Sequence, residues 1–129
     1  MIAVRYFSKS GNTKRIAEAI AEGAFAKAVS ITEEPTLKKH TDILFLGGAP
    51  YANIMAPELR DYAERLKKEN VGTVVLFTTS NWSRRTVNAL KKILRSKGIP
   101  VKDDYFYAHM LQIRGRLKAA KEFGKKHAG

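Results

Sequence analysis

The chain has 129 residues, 44% of them hydrophobic, which suffices for a single domain with a hydrophobic core. It contains no cysteine, and this excludes disulfides, zinc–thiolate and iron–sulfur sites and a cysteine nucleophile. Lysine and arginine number 24 against 12 acidic residues, and the net charge of +12 favours phosphate, nucleic acid, an acidic partner or an anionic membrane surface.

Short apolar runs alternate with helical patterns along the chain. The runs predict strands at residues 2–7, 29–31, 42–46, 73–77 and 101–108. Apolar residues at helical spacing follow four of these strands, at residues 16–24, 59–66, 87–94 and 117–123. Pro57 suits the first turn of the second helix, and Gly98 suits the end of the third.

This order of elements predicts a doubly wound α/β domain. Strands that are apolar at every position are buried on both faces, and strand–helix alternation indicates parallel strands with right-handed crossovers. We therefore predict one three-layer α/β/α domain over residues 1–129, with helices on both faces of a five-stranded parallel sheet. Such folds bind ligands beyond the carboxyl ends of their strands, so the candidate loops are 8–13, 47–56 and 78–84.

Arg5 is the exception within the first apolar strand. We predict that its aliphatic stem packs in the core while its guanidinium reaches the end of the sheet or a carboxylate. Direct contact with a ligand is the less favoured alternative.

A turn-rich hexapeptide, Ser8-Lys9-Ser10-Gly11-Asn12-Thr13, joins the first strand to the first helix. A helix N-terminus offers unpaired N–H groups and a partial positive charge, hydroxyls add donors, and glycine allows close approach of the backbone. A single Ser, Thr or Asn would be enough for an ordinary helix cap. Three hydroxyls and a glycine exceed that need, so the segment predicts a phosphate site. The patterns G-x-x-x-x-G-K-[ST] and G-x-G-x-x-G are absent, which argues against a P-loop nucleotide or a Rossmann dinucleotide.

Residues 6–13 resemble the flavodoxin signature, in which a hydrophobic strand runs into [ST]-x-[ST]-G-x-T and then a helix. Residues 42–51 and 74–80 resemble, in order and spacing, the third and fourth strands of that family with the flavin loops that follow them. The resemblance covers essentially the whole chain and implies the strand order 2-1-3-4-5. Because the fifth strand lacks a long insertion, the sequence is similar to a short-chain flavodoxin.

The resemblance implies noncovalent binding of FMN at the ends of the strands. The three histidines show neither the i, i+4 spacing of a helical metal site nor a Ser–His–Asp pattern, so we predict no catalytic residue and no metal. The phosphate would be held by the side chains of Ser8, Ser10, Asn12 and Thr13 and the N–H groups of Lys9 and Gly11. The isoalloxazine ring would be held by two loops, comprising Pro50, Tyr51, Ala52 and Asn53 in the first and Thr79, Ser80, Asn81 and Trp82 in the second. Tyr51 and Trp82 suit stacking on a flat ring. The alternatives are that Trp82 packs over the edge of the sheet, and that Ile54 and Met55 cover the same face of the ring.

Two features depart from the family pattern. The first flavin loop, residues 49–56, contains no glycine, and of its residues Asn53 best tolerates a left-handed backbone. The chain is also strongly basic, whereas well-known flavodoxins are acidic and dock on basic partners. Residues 79–98 hold six cations and no acid. The phosphate of FMN would contribute only about −2, so the excess charge points to an acidic protein partner.

Three functions are therefore open. The leading one is an FMN-binding electron-transfer protein with acidic redox partners, a carrier in preference to a self-contained oxidoreductase. The second is an FMN-dependent NAD(P)H oxidoreductase of the quinone or flavin reductase type. The least favoured is a non-redox module that binds nucleic acid. No apolar run reaches the roughly 18 residues of a membrane span, and residues 1–5 do not resemble a signal peptide, so we expect a cytoplasmic protein without membrane insertion.

Overall fold

The computed structural model describes residues 1–52 and 54–129. Its strands are β1 (Ile2–Phe7), β2 (Ala28–Ser30), β3 (Thr41–Gly48), β4 (Pro50–Tyr51), β5 (Ile54–Met55), β6 (Val71–Ser80) and β7 (Val101–His109). Its helices are α1 (Asn12–Ala24), α2 (Pro57–Arg65), α3 (Arg85–Ser96) and α4 (Ile113–His127). Among these residues no helix has the length and apolar character needed to cross a membrane.

Five strands form one parallel sheet in the order β2-β1-β3-β6-β7. This is the predicted order 2-1-3-4-5, once β4 and β5 are left out of the count, and the predicted fold class is confirmed. The loop predicted over residues 49–56 is partly wrong, because β4 and β5 pair there as a short antiparallel hairpin. The strand predicted to end at residue 77 continues to Ser80, because β7 pairs with it as far as His109.

The sheet is buried on both faces, which explains its continuous apolar strands. On one face Leu44, Leu46 and Leu76 pack in one core cluster with residues of α2 and α3. On the other, Phe45 and Phe77 pack with α1 and α4. Neighbouring apolar residues of a strand therefore belong to different cores.

Arg5 behaves as predicted. The residue is only 7% exposed. Its guanidinium donates from Nη2 to Glu34 Oε2 at 2.7 Å and from Nη1 to the carbonyl of Val4 at 3.0 Å. The charge is thus compensated at the margin of the sheet by a carboxylate in the connection between β2 and β3.

Helices α1 and α4 approach each other through two glycines. A Cβ at Gly23 would collide with the carbonyl oxygen of Lys121, and a Cβ at Gly124 would collide with that of Ile20. The two backbones are therefore in direct contact, and α4 is held close against one face of the domain.

We predict that Gly124→Ala destabilises the fold by about 1–3 kcal/mol, because the new methyl group has no room against the backbone of α1. Gly115→Ala in the same helix is the matched control, since a Cβ there meets nothing within 4 Å. The control should be stabilising by up to about 1 kcal/mol through helix propensity alone. Urea unfolding measures both, and a Gly124→Ala protein as stable as the control would contradict the close packing.

Candidate functional site

The parallel register brings three loops to one edge of the sheet. Phe7 pairs with Gly48, and Gly48 pairs with Thr78, so β1, β3 and β6 reach this edge at the same level. A cavity of about 350 Å³ opens between the loops that follow them. Seven of its lining residues were predicted from the sequence, namely Ser10, Asn12, Pro50, Tyr51, Thr79, Ser80 and Asn81.

Three further lining residues were missed by sequence reasoning, namely Ala49, Ser83 and Met110. Ala49 and Ser83 lie inside loops that the sequence singled out, and their small size gave no separate signal. Met110 follows β7, and its position at the cavity depends on its N–H bond to the carbonyl of Ser80 at 3.0 Å.

Serine hydroxyls shape the segment 8–13. Ser8 Oγ accepts the N–H of Gly11 at 3.0 Å, and Ser10 Oγ accepts that of Asn12 at 3.4 Å. Gly11 precedes α1 with a φ of 92°, a left-handed conformation that glycine adopts without strain. The N-cap residue Gly11 has no side chain to bond the helix, and the first turn of α1 carries no acidic residue. The helix therefore directs a positive N-terminus towards this end of the sheet.

Thr13 and Thr79 tie the start of α1 to the end of β6. Their hydroxyl oxygens lie 2.7 Å apart, and both residues are buried. Thr78, beside Thr79, donates its hydroxyl to the carbonyl of Gly48 at 2.7 Å. Thr13 is not among the described residues that line the cavity. Its bond to Thr79, which does line the cavity, joins the start of α1 to the cavity wall.

Tyr51 connects the first two loops. Its hydroxyl accepts the N–H of Lys9 at 2.8 Å, and the Lys9 ammonium lies 4.5 Å from the centre of its ring. The Tyr51 ring meets the edge of Phe7 with centroids 6.1 Å apart. Lys9 thus contacts Tyr51 through both its backbone and its side chain, while the Tyr51 ring lines the cavity.

Trp82 lies on the rim, beside the cavity, and is 70% exposed. Its indole stacks on Tyr107 with centroids 6.1 Å apart. The backbone N–H of Trp82 donates to the Tyr107 hydroxyl at 2.7 Å. That hydroxyl in turn donates to the carbonyl of Ser80 at 3.0 Å. Arg84 covers the ring of Tyr107 at 4.1 Å and so reinforces the same loop.

His109 orients the side chain of Asn81. Its Nδ1 accepts the N–H of Leu111 at 3.1 Å, so the proton of a neutral ring is on Nε2. Nε2 then donates to Asn81 Oδ1 at 2.9 Å. His109 therefore contacts a residue that lines the cavity.

Both loops that follow β3 and β6 contain a strained residue. Ala52 has a φ of 51° and Trp82 a φ of 69°, conformations that cost a residue with a Cβ about 1–2 kcal/mol. Backbone strain of this kind concentrates at functional sites. Asn53, which the sequence singled out as the residue most tolerant of left-handed geometry and as a contact of the ring, lies outside the described residues.

The whole chain is similar to solved flavodoxin structures. A flavodoxin from the domain Archaea has a TM-score of 0.82 at 22% identity, over 99% of this chain and 96% of that chain. The chain has the flavodoxin fold. A flavodoxin, WrbA-like protein from Agrobacterium tumefaciens has a TM-score of 0.79 at 22% identity, over 98% and 94% of the two chains.

A Fusobacterium nucleatum flavodoxin, a mutant bound to flavin mononucleotide, has a TM-score of 0.72 at 15% identity, over 97% and 92% of the chains. No protein-family model matches the sequence, and no curated protein matches it. The likeness is therefore one of structure, and it confirms the fold that the sequence motifs predicted.

We predict that Ala52→Gly stabilises the protein by about 0.5–1 kcal/mol, because glycine removes the strain of the positive φ at a smaller entropic cost. Ala49→Gly is the matched control in the same loop, since Ala49 is not among the residues with positive φ. It should be destabilising by about 0.5–1 kcal/mol. Urea unfolding of the two variants gives the comparison, and equal effects would contradict the strain at Ala52.

Proposed function

We propose that this chain binds FMN noncovalently and carries electrons between protein partners. The observation that supports it best is the meeting of segment 8–13 with the loops after β3 and β6 around one cavity. The cavity lies beyond the carboxyl ends of parallel strands, where doubly wound folds bind their ligands. A flavodoxin of the same fold has been solved bound to flavin mononucleotide.

The chemistry of the donor groups fits a phosphate. Ser10 and Asn12 line the cavity, where they offer a hydroxyl and an amide beside the positive N-terminus of α1. Gly11 supplies the left-handed turn that presents the backbone there. The first turn of α1 carries no acidic residue that would repel a dianion.

The other walls suit a flat, partly polar ring. Tyr51 offers an aromatic surface, Pro50 and Ala49 an apolar one, and Asn81 a side-chain amide. When bound, FMN would supply one- and two-electron transfer. The chain itself would orient the ring through these two loops and would limit the access of water to it.

The partner that we propose is an acidic protein. The chain carries a net charge of +12, and only about two of those charges would be neutralised by the FMN phosphate. Opposite charge on a partner accelerates encounter and selects among partners.

Titration of the purified protein with FMN and with riboflavin tests the cofactor. Gly11→Ala should weaken FMN binding by about tenfold or more, because alanine resists the positive φ on which the phosphate end depends. Because riboflavin has no phosphate, its affinity should fall by about threefold or less in the same variant. Gly11→Asn is the matched variant, since asparagine tolerates left-handed geometry better, and it should recover part of the FMN affinity.

The proposed cofactor would be refuted by a protein that takes up neither flavin. Equal losses for FMN and riboflavin in Gly11→Ala would refute the assignment of segment 8–13 to the phosphate. Both measurements follow flavin fluorescence and need no redox partner.

Direct reduction by a nicotinamide cofactor is the competing activity. The carrier function predicts that NADPH and NADH reduce the FMN-loaded protein slowly, at rates without relevance to turnover. Rapid, saturable bleaching of the flavin in stopped-flow mixing would instead make the protein an NAD(P)H oxidoreductase.

The basic surface also predicts a dependence of redox potential on salt. Positive charges stabilise the negative charge that FMN gains on reduction, and salt screens them over a Debye length of about 8–10 Å. FMN takes up two electrons in succession, and the potential of the second step, the lower of the two, should therefore become more negative as salt is added. Redox titration at two ionic strengths measures it, and an increase with salt would contradict the effect of the positive field.

A further inference from the structure

We propose that the partner docks on a surface beside the cavity, here called the rim patch, which consists of Trp82, Met110, Leu111, Arg85 and Arg114. Its occupant is an acidic protein face with apolar side chains at its centre. The identity of that partner as a redox protein rests on the proposed function, whereas the surface itself is argued from exposure and charge.

The centre of the rim patch is apolar and exposed. Leu111 is 85% exposed, Trp82 70% and Met110 45%. His109 joins them, because the Trp82 ring packs on its imidazole at 4.9 Å and the Leu111 N–H bonds to its Nδ1 at 3.1 Å. Exposed apolar groups that adjoin one another indicate an interaction site, and tryptophan is enriched among the residues that dominate binding energy.

Two exposed arginines lie close to this centre along the chain. Arg85 follows Trp82 by three residues and Arg114 follows Leu111 by three, and both are exposed. Neither is among the ion pairs formed by residues 1–52 and 54–129, which engage other basic groups, such as Arg5, Arg95 and Lys121. Their charge is therefore available to a partner.

The position of these arginines is unfavourable for the fold itself. Arg85 and Arg114 lie in the first turns of α3 and α4, which carry no acidic residue. A cation at a helix N-terminus is disfavoured by about 0.3–1 kcal/mol relative to the favoured anion. Arg85 and Arg114 therefore stand at two positions where an acidic residue would stabilise the helix better. This supports a role for the two arginines in binding and not in folding.

The apolar groups favour a protein over nucleic acid as the occupant. Bases bind non-specifically by stacking on aromatic rings, but Met110 and Leu111 are aliphatic, and Tyr107 already stacks on Trp82. Aliphatic side chains surrounded by cations complement a protein surface in which carboxylates surround apolar residues. Met110 belongs to both the cavity and the rim patch, so a partner docked there would lie next to a cofactor in the cavity.

Fluorescence anisotropy of a labelled acidic peptide, in which glutamates and aspartates surround a leucine and a phenylalanine, tests the surface. The double variant Arg85→Glu/Arg114→Glu should bind the peptide about tenfold or more weakly. The matched control is Lys27→Glu/Lys67→Glu, with the same change in net charge, at two exposed residues away from the cavity. The affinity of this control variant for the peptide should fall by about threefold or less.

A second pair of variants tests the apolar centre. Leu111→Ser should weaken peptide binding by about threefold or more. Phe25→Ser, at a residue 96% exposed at the end of α1, should leave peptide binding unchanged.

Thermal unfolding of the arginine variants is a further test, because Arg85→Glu and Arg114→Glu place an acid at a helix N-terminus. Their melting temperatures should be equal to or higher than that of the parent, opposite in sign to their effect on binding.

Equal losses in the two charge-reversal variants, or in the two serine variants, would overturn the rim patch as a docking surface. Tighter binding of a single-stranded oligonucleotide than of the peptide of equal net charge would overturn the protein occupant in favour of nucleic acid. The titration requires no flavin chemistry, so a failure of FMN binding and a failure of docking are separate results.

Discussion

The parallel pairing of β1, β3 and β6 is the constraint on which the candidate site depends. Each strand contributes apolar side chains to two cores, one against α2 and α3 and the other against α1 and α4. A shift of one residue would exchange the two sets, so the register is strongly specified. The aligned row of Phe7, Gly48 and Thr78 follows from that register, and three loops consequently leave the sheet side by side.

Polar contacts at the end of this row turn adjacent loops into one cavity. Thr13 bonds Thr79 across the sheet, and Tyr51 binds the backbone of Lys9. Tyr107 and His109, at the end of the edge strand β7, hold the loop after β6 through Trp82 and Asn81. The left-handed conformation of Trp82 is maintained by its backbone bond to the Tyr107 hydroxyl. A cavity whose walls are held by such contacts loses less entropy when a ligand binds.

Electrostatics separates the two roles that we propose for this end of the molecule. The N-terminus of α1 and the hydroxyls of segment 8–13 suit a small dianion. The arginines that begin α3 and α4 lie outside the cavity and remain free of ion pairs with the described residues. One phosphate therefore neutralises only a small part of the net charge of +12. The remaining positive charge is available to bind a second, larger anionic surface.

The sequence by itself determined the fold class, the strand order and the three loops. These features depend on local periodicity, on apolar runs and on a resemblance carried by residues 6–13, and all of these can be read along the chain. The same reasoning predicted a buried Arg5 stem with its guanidinium at the end of the sheet or on a carboxylate, because a buried charge requires compensation. The structure shows the carboxylate, that of Glu34.

Only the tertiary structure decided which side chains share the cavity. Thr13 and Thr79 are 66 positions apart and bond each other, and Met110 reaches the cavity through a bond to Ser80. Such contacts depend on how β6 and β7 align in space, which no local pattern encodes. The hairpin of β4 and β5 was missed because each strand has only two residues, too few to show alternation. Periodicity along a chain specifies the faces of its elements, whereas the meeting of distant side chains is set by packing.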